Sequence, residues 1–256
     1  MNIPNLLSDP QKMPCKAFNI PAGTYCPAAK LLAALAAKKG EAKEGEVCFH
    51  CYAKKGRYLF DSVKLALQAR ADFLMDSLRK NKGLGFADEM VKQIKAAYFT
   101  QKGKPRKGIN VNLFRVHDAG DLFSTDYIRA WELICKALPK IKFWFPTREY
   151  IRARQLPALQ ALASLPNVSI RPSAAKIDQP APSIEGLQAG SAVFTTEKAA
   201  KGHRICPATL HHHRMGPKAW KALPKPEKDK LSSCAGNACE YCWIKGAKKP
   251  VGYMAH

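Results

Sequence analysis

INVNLFRVHDAGD, from Ile109 to Asp121, decides how the chain is read. Apolar and polar residues alternate from Ile109, and Leu113 to Val116 then becomes more uniformly buried in character, as in a strand covered on both faces. Downstream the pattern repeats. Ser124 can cap a helix through Trp131 to Leu138. IKFWF from Ile141 reads as a second strand, QLPALQALASL as a short helix, NVSIR from Asn167 as a third strand and SAVFTT from Ser191 as a fourth. Strands alternating with helices predict parallel βαβ units, hence an α/β protein built on an open parallel sheet or a partial (β/α) barrel. Function in such folds gathers at the strand C-terminal ends. Those ends read RVHDAGD, PTREY and RPSAAK, more polar than a structural loop requires.

Upstream, the periodicity predicts a helix over Pro27 to Lys39, with Pro27 as its first residue and Cys26 at its start. Two amphipathic helices follow from Asp61 and Phe86, then the basic turn KGKPRKG. The texture changes again near Lys198. Residues 1–197 are expected to form the α/β domain with an N-terminal cysteine loop, and residues 198–256 a small cysteine-rich metal module.

The chain has 256 residues, enough for a sizeable core, and 46% of them are hydrophobic. It has no uncharged run of membrane-spanning length, so no membrane partner is expected. The start, MNIPNLLSDPQK, lacks a signal-peptide pattern, and a cytoplasmic location is expected. The formal net charge of +22 favours a polyanionic partner, because neutralising phosphates releases counterions. DNA or RNA is the natural candidate, with Lys102 to Lys107 and Lys245 to Lys249 as contacts. Trp144 and Trp243 are candidates to stack on a base, with core packing as the alternative.

Nine cysteines in a reducing compartment point to metal rather than disulfides. CFHCYAKKGRY, Cys48 to Tyr58, carries a CxxC pair, and Cys26 and Cys15 precede it. Cys26, Cys48 and Cys51 are the candidate ligands of a first site. Whether Cys15 closes that site as a fourth is open: three thiols leave a cubic cluster one open iron, and four make a structural centre. Phe49 and Tyr52 would shield it from water. Cys206, Cys234, Cys239 and Cys242 form a second candidate set, for zinc or an iron–sulfur cluster alike. Cys135 reads as a buried structural thiol, and His211 to His213 as a basic, solvated loop.

KMPCKAFNIPAGTYCP, CFHCYAKKGRY, RVHDAGD, FWFPTREY and the late cysteine group together resemble a phage-encoded family named for gene product eighty-eight. More distantly, the layout is similar to radical S-adenosylmethionine (radical SAM) enzymes that carry an auxiliary cluster. That resemblance implies two 4Fe-4S clusters, the first on Cys26, Cys48 and Cys51 and open to S-adenosylmethionine. It implies His117, Gly120 and Asp121 around the methionine amino group, Arg148 and Ser173 facing its carboxylate or ribose, and His117 and Asp121 as catalytic groups. The departures are that 21 residues separate Cys26 from Cys48, that His50 precedes Cys51, and that the glycine motif is not the usual paired one. The function implied is radical modification of a nucleobase in DNA or RNA, in the host cytoplasm if the chain is phage-encoded. The alternatives are a non-enzymatic nucleic-acid-binding protein stapled by two structural four-cysteine metal sites, zinc included, and radical modification of a peptide.

Overall fold

The computed structural model describes residues 3–255. The chain runs β1 (Ala17–Phe18), α1 (Pro27–Lys38), α2 (Asp61–Asn81), α3 (Leu84–Tyr98), β2 (Leu113–Val116), α4 (Thr125–Ala137), β3 (Lys142–Thr147), α5 (Leu156–Ser164), β4 (Val168–Pro172), β5 (Ser191–Phe194), β6 (Arg204–Ile205), α6 (Pro207–Ala222), α7 (Lys225–Leu231) and β7 (Val251–Met254). Strands β1 to β4 form one parallel sheet in sequence order, paired through Ala17 and Arg115, Arg115 and Trp144, and Trp144 and Ser169. The sheet is open, not a closed barrel. Its fourth strand is β1, a two-residue element that periodicity does not reveal. The strand expected from Ser191 lies instead in a second parallel sheet, ordered β5-β7-β6, joined to the first by a single bridge between Ser173 and Ser191.

Period-two alternation sorts the strand residues onto two faces. Phe114, Val116, Phe143, Phe145, Val168 and Ile170 pack with Leu74, Met90, Ile94, Trp131 and Leu159 of α2 to α5 in the main core. Right-handed crossovers between neighbouring parallel strands put these helices on one side. Ser124 starts α4 as expected, its hydroxyl accepting from the Tyr127 amide at 3.3 Å. Leu113 and Trp144 face the other way, against Cys15, Cys242, Trp243 and Val251.

The C-terminal residues therefore close the second face of the sheet. Trp243 Nε1 donates to the Phe114 carbonyl at 2.9 Å, and its ring meets Trp144 edge-on at 5.1 Å. Arg171 of β4 is fully buried and donates to the carbonyls of Tyr241 and Cys242, each at 3.0 Å. The boundary expected after residue 197 falls between β5 and β6 of one sheet.

Two sequence expectations are corrected here. His211 to His213 lie on α6, where the His211 ring pairs with the Asn237 side chain at 3.0 Å and His212 stacks on Trp220 across the kink at Gly216. Trp144 and Trp243 are 4% and 2% exposed, so neither can receive a base. Lys245, which is exposed, donates through Nζ to the carbonyls of Ala163, Ser164 and Leu165 and so caps the end of α5. Among the described residues no helix is long and apolar enough to cross a membrane.

Candidate functional site

All nine cysteines are free thiols. Cys26 is the N-cap of α1, and its sulfur accepts from the Gly23 amide at 3.4 Å. Its segment is tied to two strand ends: the Asp121 amide donates to the Tyr25 carbonyl at 3.0 Å, and the Ala28 amide to Glu149 Oε1 at 2.9 Å. The CxxC segment is tied to a third, through Val47 to the Ala175 carbonyl and Ile177 to that of Gly45. Cys26, Cys48 and Cys51 are thereby gathered at the C-terminal ends of β2, β3 and β4. There each of Cys26 and Cys48 feels the charge of its neighbouring thiols.

Burial pushes the Cys26 thiol up to about 12, with Asp121 adding to it. Cys48 is also raised by burial, which outweighs the opposing charges of Arg148 and Lys54. Thiols held this way form thiolates when a metal supplies the compensating charge. Lys54 was not anticipated from the sequence. Its chain lies over Gly23, Cε being 3.2 Å from where a Cβ would stand, so its ammonium joins the group. Phe49 and Tyr52 stand at the rim, 49% and 55% exposed.

The HDAGD residues hold the strand end together. His117 is 3% exposed, with Nδ1 at 3.2 Å from the Ala119 carbonyl and Nε2 at 3.0 Å from the Tyr127 hydroxyl. Those partners assign Nδ1–H as donor and leave Nε2 to accept, so both ring nitrogens are occupied within the core. Burial depresses its pKa to about 3. Gly120 has φ +89°, and a Cβ there would lie 2.3 Å from Ile20 Cγ1: the glycine lets the β1 extension pass. Asp121 accepts from Thr147 Oγ1 at 2.6 Å, the Leu122 amide at 2.8 Å and the Arg148 amide at 3.0 Å, locking β2 to β3. Burial nevertheless raises its pKa. Arg148 Nε donates to the Ala174 carbonyl at 3.0 Å, and the Ser173 hydroxyl pairs with that of Ser191 at 3.2 Å. Glu149, fully buried, accepts from Arg152 at 2.7 Å; burial and then Asp121 push its pKa up to about 7.

The second group draws Cys206, Cys234, Cys239 and Cys242 together, Cys234 and Cys206 each acting electrostatically on others of the set. Burial raises Cys234 to about 12 and Cys242 to about 11. Cys15 belongs with this group. It is 4% exposed, packs with Cys242 and Cys234, and is held there by the Cys234 amide donating to the Lys12 carbonyl at 2.8 Å. Arg115 lies between the two groups. It pairs with Asp118, sits 4.5 Å over the Trp144 ring and reaches the Tyr52 hydroxyl at 3.4 Å. Burial opposes its charge, yet Asp118 and the surrounding phenols leave its pKa raised. A lone arginine in an apolar strand was the available signal for it. Among the described residues no three Cys, His, Asp or Glu side chains converge closely enough to hold a single metal ion.

Fold and site together define an α/β protein with one thiol group at the C-terminal ends of a parallel sheet and another beneath its second face. A family model described as Gene product 88 matches residues 4–245, and the chain belongs to that family. No curated protein and no solved structure matches it.

Proposed function

We propose that this chain is an iron–sulfur enzyme of radical SAM type that modifies a nucleobase in DNA or RNA. One observation carries the reading: the first group has three thiols, and the fourth candidate, Cys15, is packed beside Cys234. Three soft thiolates bind three irons of a cubic cluster and leave one iron open, the mark of a centre that does chemistry. A cluster held by Cys26, Cys48 and Cys51 would, when reduced, supply the electron for reductive cleavage of S-adenosylmethionine and so the means to take a hydrogen atom from the substrate.

The protein's own part is positioning and charge. Lys54 and Arg148 would offset the thiolates, and Arg148 and Ser173, at the ends of β3 and β4, would meet the cofactor's polar ends. Asp121 orients the Arg148 backbone, and His117 and Gly120 hold the β2 end in shape. His117 has no ring nitrogen left for proton transfer.

For the second group, the fit to a cluster rests on donors. Arg115, Trp144 and Ser169 stand in register across three strands, and Arg115 Nε, Trp144 Nε1 and Ser169 Oγ are buried without partners. Buried donors call for acceptors, and the sulfides of a cluster held by Cys206, Cys234, Cys239 and Cys242 are acceptors that a zinc ion lacks. Thiols spread more widely than the tetrahedron about one ion would suit such a cluster. The net charge of +22 supports a polyanionic substrate.

The test is anaerobic purification followed by iron, sulfide and zinc analysis, then reduction with S-adenosylmethionine present. The expected protein is brown, with about eight irons and eight sulfides per chain, and releases 5'-deoxyadenosine. Colourless protein with two zincs and no cleavage refutes the proposal and returns the chain to a metal-stapled binding protein.

A further inference from the structure

Between Val47 and Phe60 the chain carries Lys54, Lys55 and Arg57 and no carboxylate. All three cations are exposed, and so are four large apolar side chains: Phe49, Tyr52, Leu59 at 55% and Phe60 at 60%. Glu46, which is buried, and Asp61 border the segment, Asp61 pairing with Lys64 at 3.3 Å. Exposed rings gathered in one segment beside a candidate reaction centre mark a contact surface.

Tyr52 shows what the surface is built to do. Its hydroxyl points inward, donating to the Asp118 carbonyl at 2.7 Å. Its ring stays outside, 6.1 Å from that of Tyr58. An aromatic face anchored at its far end loses little freedom when a flat partner stacks on it. The same segment places Lys54 over Gly23, so the cationic track runs from the surface to the thiol group.

We infer that this collar grips a single-stranded polynucleotide, with bases stacked on Tyr52, Phe49 and Phe60 and phosphates on Lys55 and Arg57. The inference rests on the first thiol group being the reaction centre, and it names the form in which the substrate arrives there. A duplex hides its base faces within its own stack, whereas a single strand offers both faces to the rings and charge to the cations. An acidic peptide satisfies the cations and leaves the rings without flat partners.

Fluorescence anisotropy of the full chain with labelled single-stranded DNA, single-stranded RNA, the matching duplexes and poly-glutamate tests this at several salt concentrations. One or both single strands should bind more tightly than either duplex, with affinity falling steeply in salt. The difference between the DNA and RNA arms tells which is the natural form. Tyr52→Ala and Phe60→Ala should each weaken single-strand binding by about 5-fold or more. Leu133→Ala, an exposed residue on α4, should change nothing. Equal or tighter duplex binding, equal competition by poly-glutamate, or full binding by both ring variants overturns the collar. Iron and sulfide are measured on the same preparations, so a failed collar with intact clusters leaves the enzyme reading standing.

Discussion

Gly120→Ala is the sharpest structural test, because its cost divides into two parts that a second glycine separates. At Gly120 the backbone has φ +89°, and an added Cβ would stand 2.3 Å from Ile20 Cγ1 and 3.1 Å from the Ile20 carbonyl oxygen. At Gly108, φ is +80° and nothing lies within 4 Å. Alanine at Gly108 therefore bears only the left-handed backbone, about 1–2 kcal/mol. At Gly120 it bears that and an overpacked contact, about 1–3 kcal/mol more. In a domain of this size the excess corresponds to roughly 3–10 °C in Tm. The assay is thermal unfolding of both variants, metal-loaded and side by side. Removing the obstructing atom should recover part of the loss: Ile20→Ala should cost less on the Gly120→Ala background than alone. A Gly120→Ala protein no less stable than Gly108→Ala refutes the reading of Gly120 as a packing residue and restores its expected place at a cofactor.

Cys26→Ala should lose about four of eight irons and all cofactor cleavage, while Cys15→Ala should keep the first cluster and its cleavage activity; loss of that cluster in Cys15→Ala refutes the assignment of Cys15 to the second group. His117, with a folded pKa of about 3 against about 6.5 unfolded, favours the folded state fully above pH 6.5. Below that pH the unfolded chain binds the extra proton, and stability falls by about 1.4 kcal/mol per pH unit toward pH 3. His117→Asn, whose side chain tolerates the observed φ of +74°, should flatten that dependence, and an NMR titration should show no His117 transition between about pH 5.5 and 8. Trp144→Phe keeps an aromatic ring and removes Nε1–H, so the second cluster's reduction potential should fall with iron content unchanged; an unchanged potential counts against the donor row.

Much of the architecture was legible because it is local. Helix α2 begins at Asp61 and α5 ends near Leu165 as periodicity indicates, and β2, β3 and β4 are short apolar runs between turn signals. β1 was not legible, since two residues have no period; Ala17 and Phe18 are a strand only because Arg115 and Val116 lie beside them. The histidine run reads as a loop from the crowding of its side chains. Yet Pro207 starts a helix there, Cys206 accepting from the Leu210 amide at 3.0 Å. At the site, spacing and residue type offered the three first-group thiols and the strand-end motifs as candidates, and the fold brings them to the same end of the sheet. The work that His117, Gly120 and Asp121 do was not, because it depends on Tyr127, Ile20 and Thr147, which approach them only in the folded chain.

The sequence by itself determined the supply of chemistry: nine thiols, a large cationic excess, and strands whose polar ends fall together in a parallel sheet. Only the tertiary structure decided which sulfur joins which group. Cys15 precedes Cys26 by only 11 residues along the chain, but β1 lies between them and carries the chain along the sheet edge. One thiol enters beneath the C-terminal cysteines and the other emerges at the strand ends. Local spacing fixes how far apart two side chains can be; which of them meet is set by the packing of residues distant in sequence.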